Sequence, residues 1–194
     1  MKTFAIEVNG ILRDFIKKFE QYYKIEFADR DINYPIDPFN PLISFHFEGN
    51  ELEDFIFQYS YELFGKSTQP SKEIIAQLNQ IYPELSENNY RIIIISREGV
   101  KMRSLTAFYI SNFSASFYFD EIRFYNRFVE YVDEEFDYIL TANPKLSELP
   151  FDNTKVILFD PEKKYETLDN RINNMIEIFP LLENERNTNK DWKS

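Results

Sequence analysis

The sequence contains no cysteine and a single histidine, and these two absences exclude several kinds of site. Without cysteine there is no disulfide framework, no thiolate metal site and no thiol nucleophile. A lone imidazole cannot form a His-rich metal site, and no nucleophile pattern accompanies His46. The segment around it, ISFHFEG, alternates as a strand does, so we predict that His46 is a surface residue of an edge strand.

Positive charge is also scarce. The chain has 22 basic residues against 33 acidic ones, and its formal net charge is −11. Nucleic acid is therefore excluded as a partner, because binding a polyanion requires a basic surface. No apolar run approaches the ~20 residues of a membrane span, and the start of the chain has no signal-peptide pattern. We expect a soluble protein with no membrane partner.

What the chain has in quantity is apolar and aromatic residues. Hydrophobic residues make up 43% of the 194 residues and aromatic residues 18%. This composition predicts a folded protein with a sizeable core, arranged as one domain or as a core with an inserted cap. Aromatic side chains are also common in protein interfaces, although core packing accounts for most of them.

The stretch Phe4–Leu12, FAIEVNGIL, predicts the start of an α/β fold. It contains an apolar run with β-branched residues, then a polar turn, after which apolar residues continue at helical spacing. This is the pattern of a buried strand, a turn and a helix. Ligands bind at the carboxyl ends of strands in open α/β sheets, so Glu7 and Asn9 in this turn are the first candidate site residues.

The turn resembles motif one of the haloacid dehalogenase (HAD) superfamily, in which a hydrophobic run precedes Asp, any residue, Asp and Gly. In that family the first Asp attacks a phosphoryl group and helps to hold Mg²⁺, and the second protonates the leaving oxygen. Here the two positions are Glu7 and Asn9. Glu7 keeps a carboxylate on a longer side chain, whereas the amide of Asn9 has no proton of useful acidity.

A second resemblance lies at Arg91–Ser96, RIIIIS, which predicts a buried strand. A hydrophobic strand ending in Ser resembles HAD motif two, whose hydroxyl binds a phosphoryl oxygen, and the ending ISR is particularly like the deoxyribonucleotidase branch. A candidate anion-binding group follows near a helix start, formed by Ser96, Arg97, Lys101 and Arg103. The simpler interpretation, which we favour, is a capping Ser96 with solvated basic residues.

The remaining HAD motifs are harder to place. No Lys lies between Lys101 and Lys145, so Arg123 or Arg127 would have to supply the fixed charge of motif three, and the spacing selects neither.

For motif four, the segment 137–164 resembles the nucleotidase pattern in which a strand ends in two metal-binding Asp residues. These two positions fall on Thr141 and Ala142, with Val156–Asp160 as a fifth strand. A second register keeps Asp160, followed by Pro161, as motif four. We prefer the first register because it gives five core strands in the order of the family.

The predicted fold class is therefore α/β: a HAD-like, Rossmann-like sheet of five mainly parallel strands, with helices on both faces and a small helical cap. The core is predicted to comprise residues 1–24 and 86–194, and the cap-like insertion residues 25–85. A third strand is predicted at 116–119. Helices are predicted at 11–23, 51–64, 99–111, 121–135 and 168–179, and one more begins at Ser71 and stops at Pro83.

On the preferred register Glu7 is the only carboxylate left at the motif positions, which are otherwise Asn9, Ser96, Thr141 and Ala142. One carboxylate cannot readily hold Mg²⁺ beside a substrate. We therefore predict vestigial motifs without catalytic or metal-binding residues, no cofactor, and a non-enzymatic pseudo-phosphatase.

The role predicted for such a pseudoenzyme is structural. It would serve as an assembly component with protein partners or as an oligomer, in the cytoplasm or in a phage virion, in a head-tail or capsid-associated position. The alternative is a Mg-dependent phosphatase or 5′-nucleotidase that uses Glu7 with Asp160. A third hypothesis is a phospho-ligand binding module.

Overall fold

The computed structural model describes residues 1–36, 43–113, 118–163 and 170–182. Within these ranges the strands are β1 (Lys2–Glu7), β2 (Tyr90–Arg97), β3 (Glu121–Tyr125), β4 (Tyr138–Thr141), β5 (Lys155–Phe159) and β6 (Arg171–Ile172). They form one sheet in the order β3-β2-β1-β4-β5-β6, with every neighbouring pair parallel. This is the doubly wound order, and it confirms the predicted α/β class with one strand more than the five expected.

The α-helices α1 (Phe15–Glu26), α2 (Glu51–Gln58), α3 (Lys72–Glu87) and α4 (Arg103–Phe113) accompany the sheet, and residues 178–182 are also helical. A π-helical turn covers Tyr61–Gly65, and 3₁₀ turns cover Val100–Met102, Phe128–Tyr131, Pro144–Glu148 and Met175–Glu177. None of these helices is long and apolar enough to cross a membrane.

Strand β1 lies at the centre of the sheet because its residues are apolar on both sides. Phe4 and Ile6 pack into a cluster with apolar residues of α3 and α4, whereas Ala5 packs on the opposite face with Ile93 and Ile95 of β2. Alternate residues of a strand point to opposite faces, so an uninterrupted apolar run is buried on both. The carboxyl end of β1, where Glu7 is paired in register with Ile95, is thereby held in the middle of the sheet edge.

A separate aromatic cluster covers this edge of the sheet. It is built from α1, α2 and the segments that join them, and its buried members are Phe19, Tyr23, Phe45, Phe55, Leu63 and Phe64. Most of it falls in the range that we assign to the cap, 25–85, but part belongs to α1 in the predicted core. The boundary between core and cap stays a prediction.

The prediction of a helix at 121–135 is wrong. Residues Glu121–Tyr125 form β3, which pairs in parallel with β2, and only a 3₁₀ turn at Phe128–Tyr131 follows. The apolar and charged residues of EIRFY alternate, and Arg123 pairs with Glu121 on one side of this edge strand. Of the strand predicted at 116–119, residues 116 and 117 lie outside the described part of the chain, and 118–119 are not a strand.

Two other helix predictions are corrected. Helix α3 passes through Pro83 and ends at Glu87, because Leu85 beyond the proline is buried in the core, which offsets the one backbone hydrogen bond that proline removes. Most of the helix predicted at 168–179 is replaced by β6 and the turn at Met175–Glu177. Only 178–179 are helical, and the first two residues lie outside the described ranges.

His46 is exposed, as expected, but it is not part of a strand. Its neighbour Phe45 makes a single isolated bridge with Ile32. The carbonyl of His46 accepts a hydrogen bond from the Tyr23 hydroxyl at 2.9 Å. The segment is therefore held by the aromatic cluster rather than by a sheet.

Candidate functional site

A cavity of about 1230 Å³ lies at the carboxyl edge of the sheet. The strand ends contribute polar residues to its lining: Glu7, Asn9, Arg97, Glu98 and Asp160. The helices and turns add apolar residues to the lining, Phe15, Ile16, Ile56, Phe64, Val100 and Phe128, together with polar ones such as Lys17, Glu53 and Lys101. A cavity lined by both apolar and polar residues is typical of a small-molecule site.

Glu7 is the central group of the polar side, and only 2% of it is exposed. One of its oxygens, Oε2, accepts a hydrogen bond from the Thr141 hydroxyl. Burial raises the pKa of Glu7 from an ordinary 4.5 to about 7, although the Thr141 hydrogen bond and the charge of Arg97 act in the opposite direction. Near neutral pH this carboxyl therefore gains and loses a proton readily, which is typical of a functional group.

Thr141 holds Glu7 because β4 is the neighbour of β1 in the sheet. The Thr141 hydroxyl also accepts a hydrogen bond from the backbone N–H of Asn143 at 2.9 Å, so its own proton is directed to Glu7. The next residue, Ala142, lies against Gly10 in the turn after β1. A Cβ placed on Gly10 would come within 2.6 Å of the Cβ of Ala142.

Gly10→Ala is therefore expected to destabilise the protein. Gly10 has a φ of +85°, which disfavours any other residue, and its Cβ would clash with Ala142. We expect a loss of about 2 kcal/mol or more in the free energy of unfolding, measured by urea denaturation. Gly49→Ala, at a φ of +53° but with open space around its Cβ, is the matched control and should lose less. Equal losses in both variants would contradict a role for the contact with Ala142.

Asn9 is held by a buried arginine that sequence analysis did not single out. Arg13 is fully buried, and its Nε donates to Oδ1 of Asn9 at 2.9 Å. Its other nitrogens donate to Glu98 and, at 2.7 Å, to the hydroxyl of Thr106. Since Oδ1 is occupied by Arg13, the Nδ2 group of Asn9 is left to donate hydrogen bonds to a ligand.

Glu98, which pairs with Arg13, explains the position of Ser96. The Ser96 hydroxyl donates to Oε1 of Glu98 at 3.0 Å and serves this buried ion pair. The sequence contains only a weak signal for the pair: Glu98 directly follows β2, and Arg13 lies in the turn between β1 and α1. Nothing in the sequence states that they meet across 85 positions.

The four residues of the candidate anion-binding group are not brought together. Arg97 and Lys101 line the cavity. Arg103 instead donates to Oδ1 of Asn126 at 3.0 Å, and Ser96 points to Glu98. Arg97 stacks on the ring of Phe128, with 4.0 Å between its guanidinium carbon and the ring centroid.

Neither arginine considered for motif three lies among the lining residues of the cavity. Arg123 forms ion pairs with Glu121 and Glu134, and Arg127 pairs with Glu130. The positive charge that lowers the pKa of Glu7 is Arg97, one residue after the predicted motif two.

The two registers for motif four correspond to two neighbouring strand ends. Thr141 is the last residue of β4, beside β1, and Ala142 follows it, whereas Asp160 follows β5, one strand further away. Asp160 is 4% exposed, lines the same cavity, and lies 3.6 Å from Nη1 of Arg171. Which of the two positions is the counterpart of motif four stays open.

The HAD resemblance implies Mg²⁺ at this site, and the residues present do not fit it. The described residues include no group of three or more acidic or histidine residues arranged to hold a metal ion. The Thr141 hydroxyl donates to one oxygen of Glu7, and the other motif positions, Asn9, Thr141 and Ala142, carry no carboxylate. Mg²⁺ sites of this kind are built on carboxylates, so we assign no step to a metal.

Comparisons with known proteins found similar solved structures but no matching family. No family model matches the chain, and no curated protein matches it. Among solved structures, a haloacid dehalogenase-like hydrolase from Burkholderia xenovorans LB400 is similar with 9% identity and a TM-score of 0.47, covering 89% of this chain and 92% of that one.

Two further structures are similar. The HAD-hydrolase YfnB from Bacillus subtilis, described as bound to magnesium, has 12% identity and a TM-score of 0.43, with 94% and 98% of the two chains covered. A HAD-superfamily hydrolase from Ehrlichia chaffeensis has 15% identity and a TM-score of 0.44, with 92% and 95% covered. The chain is similar to these three structures along most of its length. Similarity at these identities and TM-scores gives no information about the substrate, the metal or the mechanism of this chain.

One prediction has to be corrected. We predicted that the chain is not an enzyme, and the comparisons contradict this prediction, since the similar structures are described as hydrolases. Protein partners, a place in a phage virion and the deoxyribonucleotidase-like branch are untested and stay predictions.

Proposed function

We propose that this protein is a hydrolase of phosphate monoesters in which Glu7 acts as a general base on the attacking water. The observation that carries the proposal is the state of Glu7, a buried carboxyl at the floor of a large cavity with a pKa of about 7. A general base works best when its pKa lies close to the operating pH. A carboxyl with an ordinary pKa is a far weaker base.

A phosphate group suits the polar side of the cavity. Arg97, Lys17 and Lys101 contribute positive charge to the lining, and Asn9 has an amide group left to donate. Arginine in particular recognises phosphate through its planar set of donors, and stacking on Phe128 fixes the orientation of the guanidinium. The resemblance of Phe4–Leu12 and Arg91–Ser96 to HAD motifs one and two supports the same substrate class.

The proposed step uses only groups of this chain. The carboxylate of Glu7 takes a proton from water while the water oxygen forms a bond to phosphorus. The bond from phosphorus to the ester oxygen breaks, and its electron pair leaves with that oxygen. Inorganic phosphate is released, and Glu7 returns its proton to the leaving group or to solvent. Arg97 offsets the negative charge of the phosphoryl group.

The test is hydrolysis of p-nitrophenyl phosphate by the purified protein, measured once with EDTA and once with Mg²⁺. We expect turnover in EDTA that is lost in Glu7→Gln and retained in Glu84→Gln, a change on the exposed part of α3. Turnover that occurs only in the Mg²⁺ condition, and not in EDTA, would contradict the metal-free step. Phosphate binding without turnover in either condition would contradict the hydrolase and favour a phospho-ligand binding module.

The rate should depend on pH through Glu7. The base must be ionised to accept a proton, and its pKa is about 7, so kcat/KM should rise from pH 5 and level off above pH 8. Below the midpoint we expect about a tenfold fall for each pH unit. The measurement is the profile of kcat/KM for p-nitrophenyl phosphate in buffers of constant ionic strength. A profile that is flat between pH 5 and 8 would contradict Glu7 as the base.

A further inference from the structure

The side chain of Glu7 lies on the face of the sheet opposite to α3 and α4. Alternate residues of a strand point to opposite faces, and Ala5, two residues earlier in β1, packs on this face with Ile93 and Ile95 of β2. Ile95 is also the register partner of Glu7. On the other side, Thr141 at the end of β4 donates its hydroxyl to Glu7. The surroundings of this carboxyl therefore depend on what covers this face.

Tyr131 covers the face from the 3₁₀ turn that follows β3. It is fully buried, it belongs to the same cluster as Ala5 and Ile95, and it is not among the lining residues of the cavity. Its ring makes an edge-to-face contact with Tyr125, with 4.8 Å between the centroids. The Tyr131 hydroxyl has no hydrogen-bond partner among the described residues. A buried hydroxyl is nearly always paired, so a partner is expected.

A second buried donor without a partner follows β4. The backbone N–H of Asn143 donates to Thr141, and its Oδ1 accepts from the backbone N–H of Lys145 at 3.0 Å. Its Nδ2 group is buried and has no partner in the part of the chain that the structure describes. Leu146, in the 3₁₀ turn that Asn143 caps, packs in the cluster on this face of the sheet. Each of the two turns that cover the face thus supplies one unpaired donor.

The carboxyl of Glu7 offers an acceptor on the same face. Its Oε2 accepts from Thr141, whereas its Oε1 accepts no hydrogen bond from any residue of the described ranges. A buried water typically makes about three hydrogen bonds to polar groups that would otherwise be unpaired. One water that accepts from the Tyr131 hydroxyl and from Nδ2 of Asn143, and donates to Glu7, pairs all three groups.

The Tyr131 hydroxyl keeps its proton at every pH at which the site operates. Burial raises the pKa of Tyr131 well above its ordinary value. The charged and titratable groups that act on it come from β1, β2, β3 and the residue after β2: Glu7, Arg97, Tyr125 and Glu98. Of these only Arg97 lowers the pKa of Tyr131. Tyr131 is therefore a donor throughout, and the group that titrates beside it is Glu7.

We propose that the Tyr131 hydroxyl and the Asn143 amide hold one buried water behind Glu7, and that this water donates a hydrogen bond to the Glu7 carboxylate. Tyr131 and Asn143 are then positioning residues for the base. A hydrogen bond to the carboxylate favours its ionised form, so the water offsets part of the effect of burial on Glu7. The effect of the water on hydrolysis rests on the proposed function, whereas its effect on the pKa of Glu7 does not.

The first test removes the Tyr131 hydroxyl and measures the pKa of Glu7. In Tyr131→Phe we expect this pKa to rise by about one unit, followed by ¹³C NMR of the side-chain carboxyl, whose signal is identified by its loss in Glu7→Gln. The matched control is Tyr125→Phe, which removes the buried hydroxyl of the ring packed against Tyr131 and should leave the pKa of Glu7 unchanged. A rise in Tyr131→Phe no larger than in Tyr125→Phe would overturn the inference.

The kinetic effect should be confined to low pH. With Glu7 titrating about one unit higher, kcat/KM of Tyr131→Phe for p-nitrophenyl phosphate should fall about tenfold at pH 6 and less than about twofold at pH 9. A merely structural defect would lower both values, so an equal fall at pH 6 and pH 9 would overturn the inference. If the wild type hydrolyses nothing, the hydrolase proposal fails, and the NMR titration still decides whether Tyr131 acts on Glu7.

The water itself can be located by high-resolution crystallography of the wild-type protein, a test that does not depend on the folding of any variant. We expect one ordered water within about 3.2 Å of the Tyr131 hydroxyl, of Nδ2 of Asn143 and of a Glu7 oxygen. A direct hydrogen bond between Tyr131 and Glu7, or a protein acceptor for the Tyr131 hydroxyl elsewhere, would overturn the inference and leave the hydrolase proposal standing.

Discussion

Glu7→Gln is expected to remove hydrolysis and, at the same time, to make the folded protein more stable above pH 7. The loss of activity follows from the loss of the base and should reach ~10²–10⁴ in kcat. Glutamine has nearly the same shape and can still accept the hydrogen bond from Thr141, so the geometry of the strand end is preserved. The two effects have one cause, which is the burial of this carboxyl.

The sign of the stability effect follows from the two pKa values. In the folded protein the pKa of Glu7 is about 7, above the 4.5 that is ordinary for Glu, so the folded state holds the proton more tightly than the unfolded state. The stabilising contribution of the proton is complete below about pH 4.5 and is lost as pH rises to 7. Across this range the wild type should lose ~3 kcal/mol from this group.

The measurement is urea denaturation of wild type and Glu7→Gln at pH 5 and pH 8. At pH 8 the neutral glutamine avoids the cost of a buried charge, and the variant should be more stable by ~2–3 kcal/mol, whereas at pH 5 the two proteins should be close. A variant that is less stable than wild type at pH 8 would show that Glu7 is not an ionised buried group. A variant that keeps its activity would remove Glu7 from the mechanism.

The central strands could be predicted because their signal is local. Both Phe4–Leu12 and Arg91–Ser96 contain uninterrupted apolar runs, and such runs are buried wherever they lie in a sheet. The turn after β1 could be predicted for the same reason, from an asparagine and a glycine that follow an apolar run. These two stretches are adjacent in the sheet, and together they determine where the cavity lies.

The arrangement of the site could not be predicted because it depends on contacts between distant segments. The pKa of Glu7 is set by burial together with Thr141, 134 positions away, and no property of residues 4–12 contains that information. The strand at Glu121–Tyr125 was mistaken for a helix because its five residues are too few to separate a period of 2 from one of 3.6. Its pairing with β2, rather than its own pattern, decides its structure.

The buried ion pair is the feature of this site with the largest consequence for folding. Arg13 and Glu98 join the turn after β1 to the end of β2, and their side chains are 0% and 1% exposed. Three donors surround Glu98, and Arg13 also contacts the rings of Phe64 and Tyr109. Replacing such a pair by apolar residues is often neutral or favourable, whereas removing one partner leaves an uncompensated buried charge.

Glu98→Ala is therefore expected to lower the free energy of unfolding by ~3–5 kcal/mol, which corresponds to a fall of about 6–20 °C in the melting temperature of a chain of this size. The matched control is Arg127→Ala, which removes one partner of the exposed pair with Glu130 and should cost less than ~1 kcal/mol. The double variant Arg13→Met with Glu98→Met should recover most of the loss, because neither charge is then left alone. Calorimetry and urea denaturation of the three variants measure these differences. If Glu98→Ala is no more destabilising than Arg127→Ala, then Arg13 is not held as a buried charge, and the position of Asn9 beside Glu7 has another cause.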